Sequence, residues 1–334
     1  MVGTSGVKGW RAATRRGLLA VLSAVVLASG LPAQASDWPT KTVTIVVPYP
    51  PGGNTDTMAR MVADFFSRKF KQTFIVDNRA NAGGTLGTAQ VAKSKPDGYT
   101  IMFGAALQAI IAPMLQKVSY VPETDLQYLS IFGTGPYILG ARASLPVTNL
   151  TELIAYAKQN PGKLNVATAS IGGQAHLSIM LLAKRAGLDL VTVPYRGGGP
   201  AIAALLAGET DLYFGNASEL MQHKSGGKLK LLGVSTLQPL PQAPELQTVA
   251  SLLPGFEMTS WNGLFGPAGL PADVVAKIAA TTAEAAKDPA LAQRLLSLGI
   301  EPVGSTPEEM ARIVAMERQV YREAIAVAGL TQQP

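Results

Sequence analysis

The chain contains no cysteine. That excludes disulfides, thiolate metal sites, cysteine nucleophiles and a lipid-modified cysteine anchor. It has only two histidines, His176 and His223, which lie far apart in sequence. A histidine-based metal centre is therefore not expected. Aromatic residues make up 6% of the chain, and no basic run is interleaved with them. No nucleic-acid surface is indicated. After Leu31 no apolar stretch is long enough to cross a bilayer. Two catalytic or cofactor signatures are also missing. Gly83-Gly84-Thr85-Leu86-Gly87 does not have the Gly-x-Gly-x-x-Gly spacing of a dinucleotide site, and Thr168-Ala169-Ser170-Ile171-Gly172 is not a Gly-x-Ser-x-Gly nucleophile elbow.

What is present starts with an export signal. Lys8, Arg11, Arg15 and Arg16 precede an apolar run from Leu18 to about Leu31. Ala33-Gln34-Ala35 then supplies small residues at the positions a signal peptidase reads, so residues 1–35 are expected to be a signal peptide cleaved near Ala35. Arg15-Arg16 fits either a plain basic start or a twin-arginine signal. Cleavage removes four of the 28 Lys+Arg and none of the 22 Asp+Glu, so the net charge of +6 falls to 24 − 22 = +2. The remainder reads as an exported protein of one or two domains.

The stretch that organises the rest is Val43 through Asp56. Val43, Ile45, Val46 and Val47 form a short β-branched run, as a covered parallel strand would. Pro50, Pro51, Gly52 and Gly53 cannot continue it and turn the backbone sharply. Asn54, Thr55 or Asp56 can cap the following helix, whose apolar positions Met58, Val62, Phe65 and Phe66 recur at helical spacing. A strand thus delivers a helix N-terminus with free N–H groups and no side chain at Gly52 or Gly53 to keep a ligand away. Such a junction suits a small anion such as a carboxylate. An ordinary strand-turn-helix without ligand has the same sequence.

The junction recurs. Phe74–Val76 leads through Gly83-Gly84 to a helix, and Thr100–Phe103 through Gly104-Ala105-Ala106 to another. Tyr128–Gly133 and Tyr137–Ala141 are extended runs split by a Gly-Thr-Gly-Pro segment, where the chain is expected to cross into a second lobe. There Leu164–Ala167 leads to Ser170, Gly172, Gly173, Gln174 and His176; Leu190–Val193 leads to Arg196 and Gly197; and Leu212–Phe214 ends near Asn216. Pro254-Gly255 and Trp261–Pro267 mark the return, and three helices follow, with Asp288-Pro289 and Thr306-Pro307 as cap-plus-proline starts. The alternation implies an α/β fold of two lobes, each a doubly wound, mostly parallel sheet with helices on both faces. The expected division is 36–136 with 255–334 for the first lobe and 137–254 for the second.

These pieces together resemble the Bug-type extracytoplasmic receptors of the tripartite tricarboxylate transporter family. The resemblance is carried by Trp38-Pro39, Val47 through Asp56, Asn78-Arg79, Gly83-Gly84 and Pro96 through Thr100. It continues through Gly172-Gly173 with His176-Leu177, Pro194 through Gly198, Ala207-Gly208 with Asp211, and Trp261 through Pro267. It implies a type II-like periplasmic binding protein, not an enzyme. Such a protein closes around a small organic anion such as a di- or tricarboxylate and presents it to membrane permease subunits, as a monomer with no cofactor. Carried over, the ligand loops are Tyr49, Gly52, Gly53, Asn54, Thr55 and Asp56 in the first lobe and Ser170, Gly172, Gly173, Gln174 and His176 in the second. Ala105, Arg196, Gly197 and Asn216 are added by position.

Individual residues keep alternatives open at this stage. Asp56 is awkward for an anion site and is expected to cap its helix and orient N–H groups. His176 can donate to a carboxylate or pack at the start of its helix. Arg196 is the one cation well placed to reach an anion, or else a solvated loop residue. Tyr49 and Tyr195 can wall a pocket or belong to the core, and Trp261 is expected to pack near the hinge. A signalling receptor, a binder of a neutral or aromatic solute, and an exported hydrolase using Ser170 are the rival readings.

Overall fold

The computed structural model describes residues 1–3, 37–80 and 82–330. The expected signal peptide lies outside these residues, apart from its first three. Trp38–Pro334 forms one compact unit. Its elements, in order, are β1 (Val43–Val47), α1 (Asn54–Phe70), β2 (Phe74–Asn78), α2 (Thr85–Ala92), β3 (Thr100–Ala105), β4 (Leu126–Arg142), α3 (Leu150–Gln159), β5 (Asn165–Thr168), α4 (Gln174–Ala186), β6 (Val191–Pro194) and α5 (Gly198–Ala207). There follow β7 (Leu212–Asn216), α6 (Ala217–Met221), β8 (Leu229–Val234), β9 (Gln247–Thr248), β10 (Thr259–Pro267), α7 (Ala272–Lys287), α8 (Pro289–Ser297), β11 (Glu301–Pro302) and α9 (Pro307–Val327). Short helical segments at Leu107–Ile111 and Ala112–Leu115 follow β3.

The strands run in the order β2-β1-β3-β10-β4-β7-β5-β6. At each end of this row the pairing is parallel: β1 with β2 and β3, and β5 with β6 and β7. The middle is antiparallel. β10 lies between β3 and β4, and β4 runs on as one long strand. Up to Pro136 it pairs with β10; from Tyr137 it pairs with β7, and from Ile138 with β8 as well. The break expected at the Gly-Thr-Gly-Pro segment therefore does not occur. Close packing explains those glycines: a Cβ at Gly133 would stand 2.9 Å from Ile300 Cγ2, and one at Gly135 3.2 Å from the Gly299 carbonyl.

Alternating residues of the same strand feed opposite faces. Ile45, Ile101 and Phe103 pack under α1, α7 and α8, while Val46 and Met102 pack under α2, the Leu107–Ile111 segment and α9. In the other half of the sheet Val166, Leu212 and Phe214 meet α3 and α4, while Ala167 and Tyr213 meet α5 and α6. Helices on both faces leave the strands between them little solvent side, which is why β1, Thr44 apart, reads as an apolar run.

Candidate functional site

The turn after β1 behaves differently from its sequence expectation. Gly53, not Asn54, Thr55 or Asp56, stands at the N-cap of α1, and no side chain of the turn caps it. The first free amide, Asn54 N, instead donates to Glu219 Oε1 at 3.0 Å. Glu219 comes from α6, 165 residues away, and is 3% exposed. Its other oxygen, Oε2, accepts from the Tyr213 hydroxyl and from Asn216 N, and Glu219 closes a capping box with Asn216 on its own helix. Burial pushes its carboxyl above its usual value, against the hydrogen bonds that favour the charged form.

Around this carboxylate the polar groups are paired with one another. Asn54 Nδ2 donates to Asn262 Oδ1 at 2.6 Å, and Asn262 Nδ2 donates to Thr55 Oγ1 at 2.9 Å. The Ser218 hydroxyl donates to Asn54 Oδ1, and Ser260 Oγ donates to Asn216 Oδ1 at 2.7 Å. The start of α5 closes the ring. A Cβ at Gly53 would lie 3.6 Å from Gly199 N, one at Gly199 3.0 Å from the Pro51 carbonyl, and one at Gly197 2.8 Å from Pro50 Cδ. Two positive helix ends thus meet with one buried carboxylate between them, as the peptide dipoles favour.

Asp56 is 4% exposed and organises the turn. Its Oδ2 accepts from Gly52 N at 3.0 Å, its Oδ1 from Asn78 Nδ2 at 2.9 Å, and Arg60 pairs with both oxygens. Burial alone would raise its carboxyl, but Arg60, the Gly52 amide and Asn78 together hold it below its usual value. It does not cap the helix as the sequence reading expected; it orients the loop by bonding the amide before the N-cap and not those of the first helical turn. The loop after β5 uses an imidazole: Gly172 N donates to His176 Nδ1 at 2.8 Å, and burial lowers the ring's affinity for a proton. Gln174 turns its amide to the Tyr321 hydroxyl of α9, and Trp261 Nε1 donates to Glu317 Oε2 at 2.8 Å on the same helix.

Two adjoining spaces lie among these loops. The inner chamber holds about 60 Å³ and is lined by Tyr49, Gly53, Asn54, Thr55, Ala105, Ser170, Gly173, Gln174, Asn216 and Glu219, with Gly198 and Trp261–Asn262. The outer cavity holds about 500 Å³. Pro48, Leu107, Leu115, Ile171 and Pro194 give it apolar walls; Tyr195, Arg196 and Gly197 stand on one side and Tyr49 is shared with the chamber. Burial pushes the Tyr49 hydroxyl up to about 12, so it stays a neutral hydrogen-bonding group. Arg196 is the only lysine or arginine among the described lining residues, and no described residue forms an ion pair with it.

Of the residues singled out from sequence, Tyr49, Gly53, Asn54, Thr55, Ala105, Ser170, Gly173, Gln174, Arg196, Gly197 and Asn216 line one space or the other. Gly52, Asp56, Gly172 and His176 line neither. Ser170 does not join His176 and Asp56 in a relay, because those two are engaged with Gly172 and with Arg60, Asn78 and Gly52. Glu219 and Asn262 were missed. The spacing Asn216-Ala-Ser-Glu219 is a capping-box signal, but nothing local shows that the same carboxylate reaches a second helix.

Two α/β halves joined through antiparallel crossing strands, with a cleft among glycine-built helix starts, define the two-lobed periplasmic binding-protein fold. The fold is shared by solved structures of similar length. The periplasmic binding protein BugD is 34% identical with a TM-score of 0.84, covering 89% of this chain and 100% of that one. An R. palustris protein solved with adipate is 32% identical with a TM-score of 0.86, covering 89% and 100%. Among curated relatives, a Pseudomonas protein described as the UPF0065 protein in the tcbD-tcbE intergenic region is 35% identical over 314 residues, 93% of this chain and 94% of that one. Residues 58–330 match the family model described as the tripartite tricarboxylate transporter family receptor, and the chain belongs to that family.

Proposed function

We propose that this chain is a periplasmic receptor that closes two lobes around a small organic carboxylate and hands it, as a monomer and without catalysis, to the membrane permease subunits of a tripartite transporter. The observation that carries this reading is the cavity of about 500 Å³ bounded by the turn after β1 and the loops after β5 and β6, with Arg196, which pairs with no described carboxylate, on its wall. A space of that size and lining is typical of a small-molecule site. The lobes divide at 136/137 and 254/255; the change of partner along β4 at Pro136/Tyr137, and the start of β10 at Thr259, support that division. The family and the adipate-bound relative support a carboxylate ligand. Export rests on the basic, apolar and small-residue order of 1–35.

Thermal unfolding against a panel of mono-, di- and tricarboxylates and uncharged solutes tests this. A ligand at a hundred times its Kd should stabilise the fold by about 2.7 kcal/mol. No stabilisation by any carboxylate at millimolar concentration would overturn the reading.

A further inference from the structure

The place prepared for a ligand carboxylate is already taken by one of the protein's own. Glu219 Oε1 accepts the Asn54 amide at the start of α1, and the carboxylate lies against the start of α5, where a Cβ at Gly198 would come within 1.9 Å of Oε1. Its second oxygen is filled by the Tyr213 hydroxyl and the Asn216 amide. The inner chamber beside it, about 60 Å³ against about 500 Å³ for the outer cavity, has room for a few water molecules. A ligand carboxylate entering there would find the Asn54 amide already bonded to Glu219.

The outer cavity has the opposite character. It is several times larger; Leu107, Leu115, Ile171 and three prolines line it together with the polar Tyr49, Gln116, Ser170 and Tyr195, and Arg196 is the one lysine or arginine among its described lining residues. A single carboxylate can pair with that guanidinium while an apolar body fills the rest; a second would find no further lysine or arginine among the described lining residues and only neutral polar groups to meet. Charge complementarity and volume therefore agree on one class of occupant.

We propose that the ligand is a monocarboxylate with a compact apolar body, its carboxylate paired with Arg196, and that Glu219 is the specificity residue that rejects di- and tricarboxylates by occupying the amide cradle of α1. This rests on the carboxylate-receptor reading above and narrows it.

Isothermal titration of the purified receptor with hexanoate, benzoate and adipate tests it; hexanoate and adipate share a chain length and differ by one carboxylate. Hexanoate or benzoate should bind at least 100-fold tighter than adipate. Glu219→Ser should shift the hexanoate-to-adipate ratio at least tenfold towards adipate, and Arg196→Gln should weaken hexanoate at least tenfold. Adipate binding as tightly as the monocarboxylates in the unaltered protein overturns the inference but leaves the receptor reading standing. A Glu219→Ser protein that folds and keeps its preference for monocarboxylates overturns the role of Glu219. If that variant does not fold, the ratio in the unaltered protein decides. Binding of no carboxylate at all removes both readings together.

Discussion

The turns before α1 and α4 have nearly the same recipe, Gly52-Gly53-Asn54-Thr55 against Gly172-Gly173-Gln174-Ala175. They end in different states. Before α1 the exposed amide is taken by a carboxylate from another helix, and the turn is tied by Asp56. Before α4 the amide of Gly172 is taken by His176 from within the same helix, and the side chain of Gln174 is drawn to α9. A glycine turn before a helix supplies donors; which group receives them is decided by what the rest of the fold brings near. The α1 start is filled by a carboxyl group from a distant helix, whereas the α4 start is closed by local bonds.

The largest effect that could break this comparison comes from Glu219. Glu219→Leu leaves the Tyr213 hydroxyl and the Asn54 and Asn216 amides without their acceptor, and should lower the unfolding free energy by roughly 4 kcal/mol. Glu219→Gln keeps one oxygen and should lose about half as much. His176→Leu strands only the Gly172 amide and should cost about 2 kcal/mol. Urea unfolding of the three variants gives the order. A His176→Leu loss larger than that of Glu219→Leu would mean that the local closure, not the distant charge, holds the cleft together.

A second effect separates the two starts by pH. Glu317, on the helix that backs α4, has its carboxyl pushed up by burial from 4.5 to about 7, although Trp261 Nε1 favours the charged form. Between those values the folded protein keeps a proton that the unfolded chain has released. Stability is therefore highest below about pH 4.5 from this group and falls as pH rises through 7, by about 3 kcal/mol in all. Glu317→Gln should remove that fall, since a neutral amide oxygen still accepts from Trp261. Unfolding free energies at pH 5 and pH 8 should differ by less in the variant; equal slopes in the two proteins would place the titration elsewhere.

Much of this frame was legible before any coordinates. The apolar run Val43–Val47, the prolines and glycines after it, and the spacing of Met58, Val62 and Phe66 are local signals, and the elements they announce are present as β1 and α1. Asp288-Pro289 and Thr306-Pro307 likewise begin α8 and α9, each with its side-chain cap. Strand direction was less legible, because period-two burial is the same for parallel and antiparallel pairing; the antiparallel centre of β10 and β4 follows from connectivity. Gly133 and Gly135 read as a break, yet they mark close packing against Gly299–Glu301. Glu219 was unreadable as part of the cleft for a simpler reason. Its contact with Asn54 spans 165 residues, and no pattern along the chain encodes it.

The smallest effect bears on what the glycines of the first turn are for. The sequence reading gave Gly52 a place against the ligand because it lacks a side chain. In the structure Gly52 has φ +89, no heavy atom lies within 4 Å of where its Cβ would be, and it lines neither space. Its requirement is then conformational only. Gly52→Ala should cost about 1 kcal/mol for holding alanine in the left-handed region, with its amide still bonded to Asp56 and monocarboxylate affinity changed by less than about twofold. Thermal unfolding with and without hexanoate measures both quantities on one sample. A tenfold loss of affinity at unchanged stability would return Gly52 to the binding surface, and with it the view that both glycine turns are shaped by the ligand.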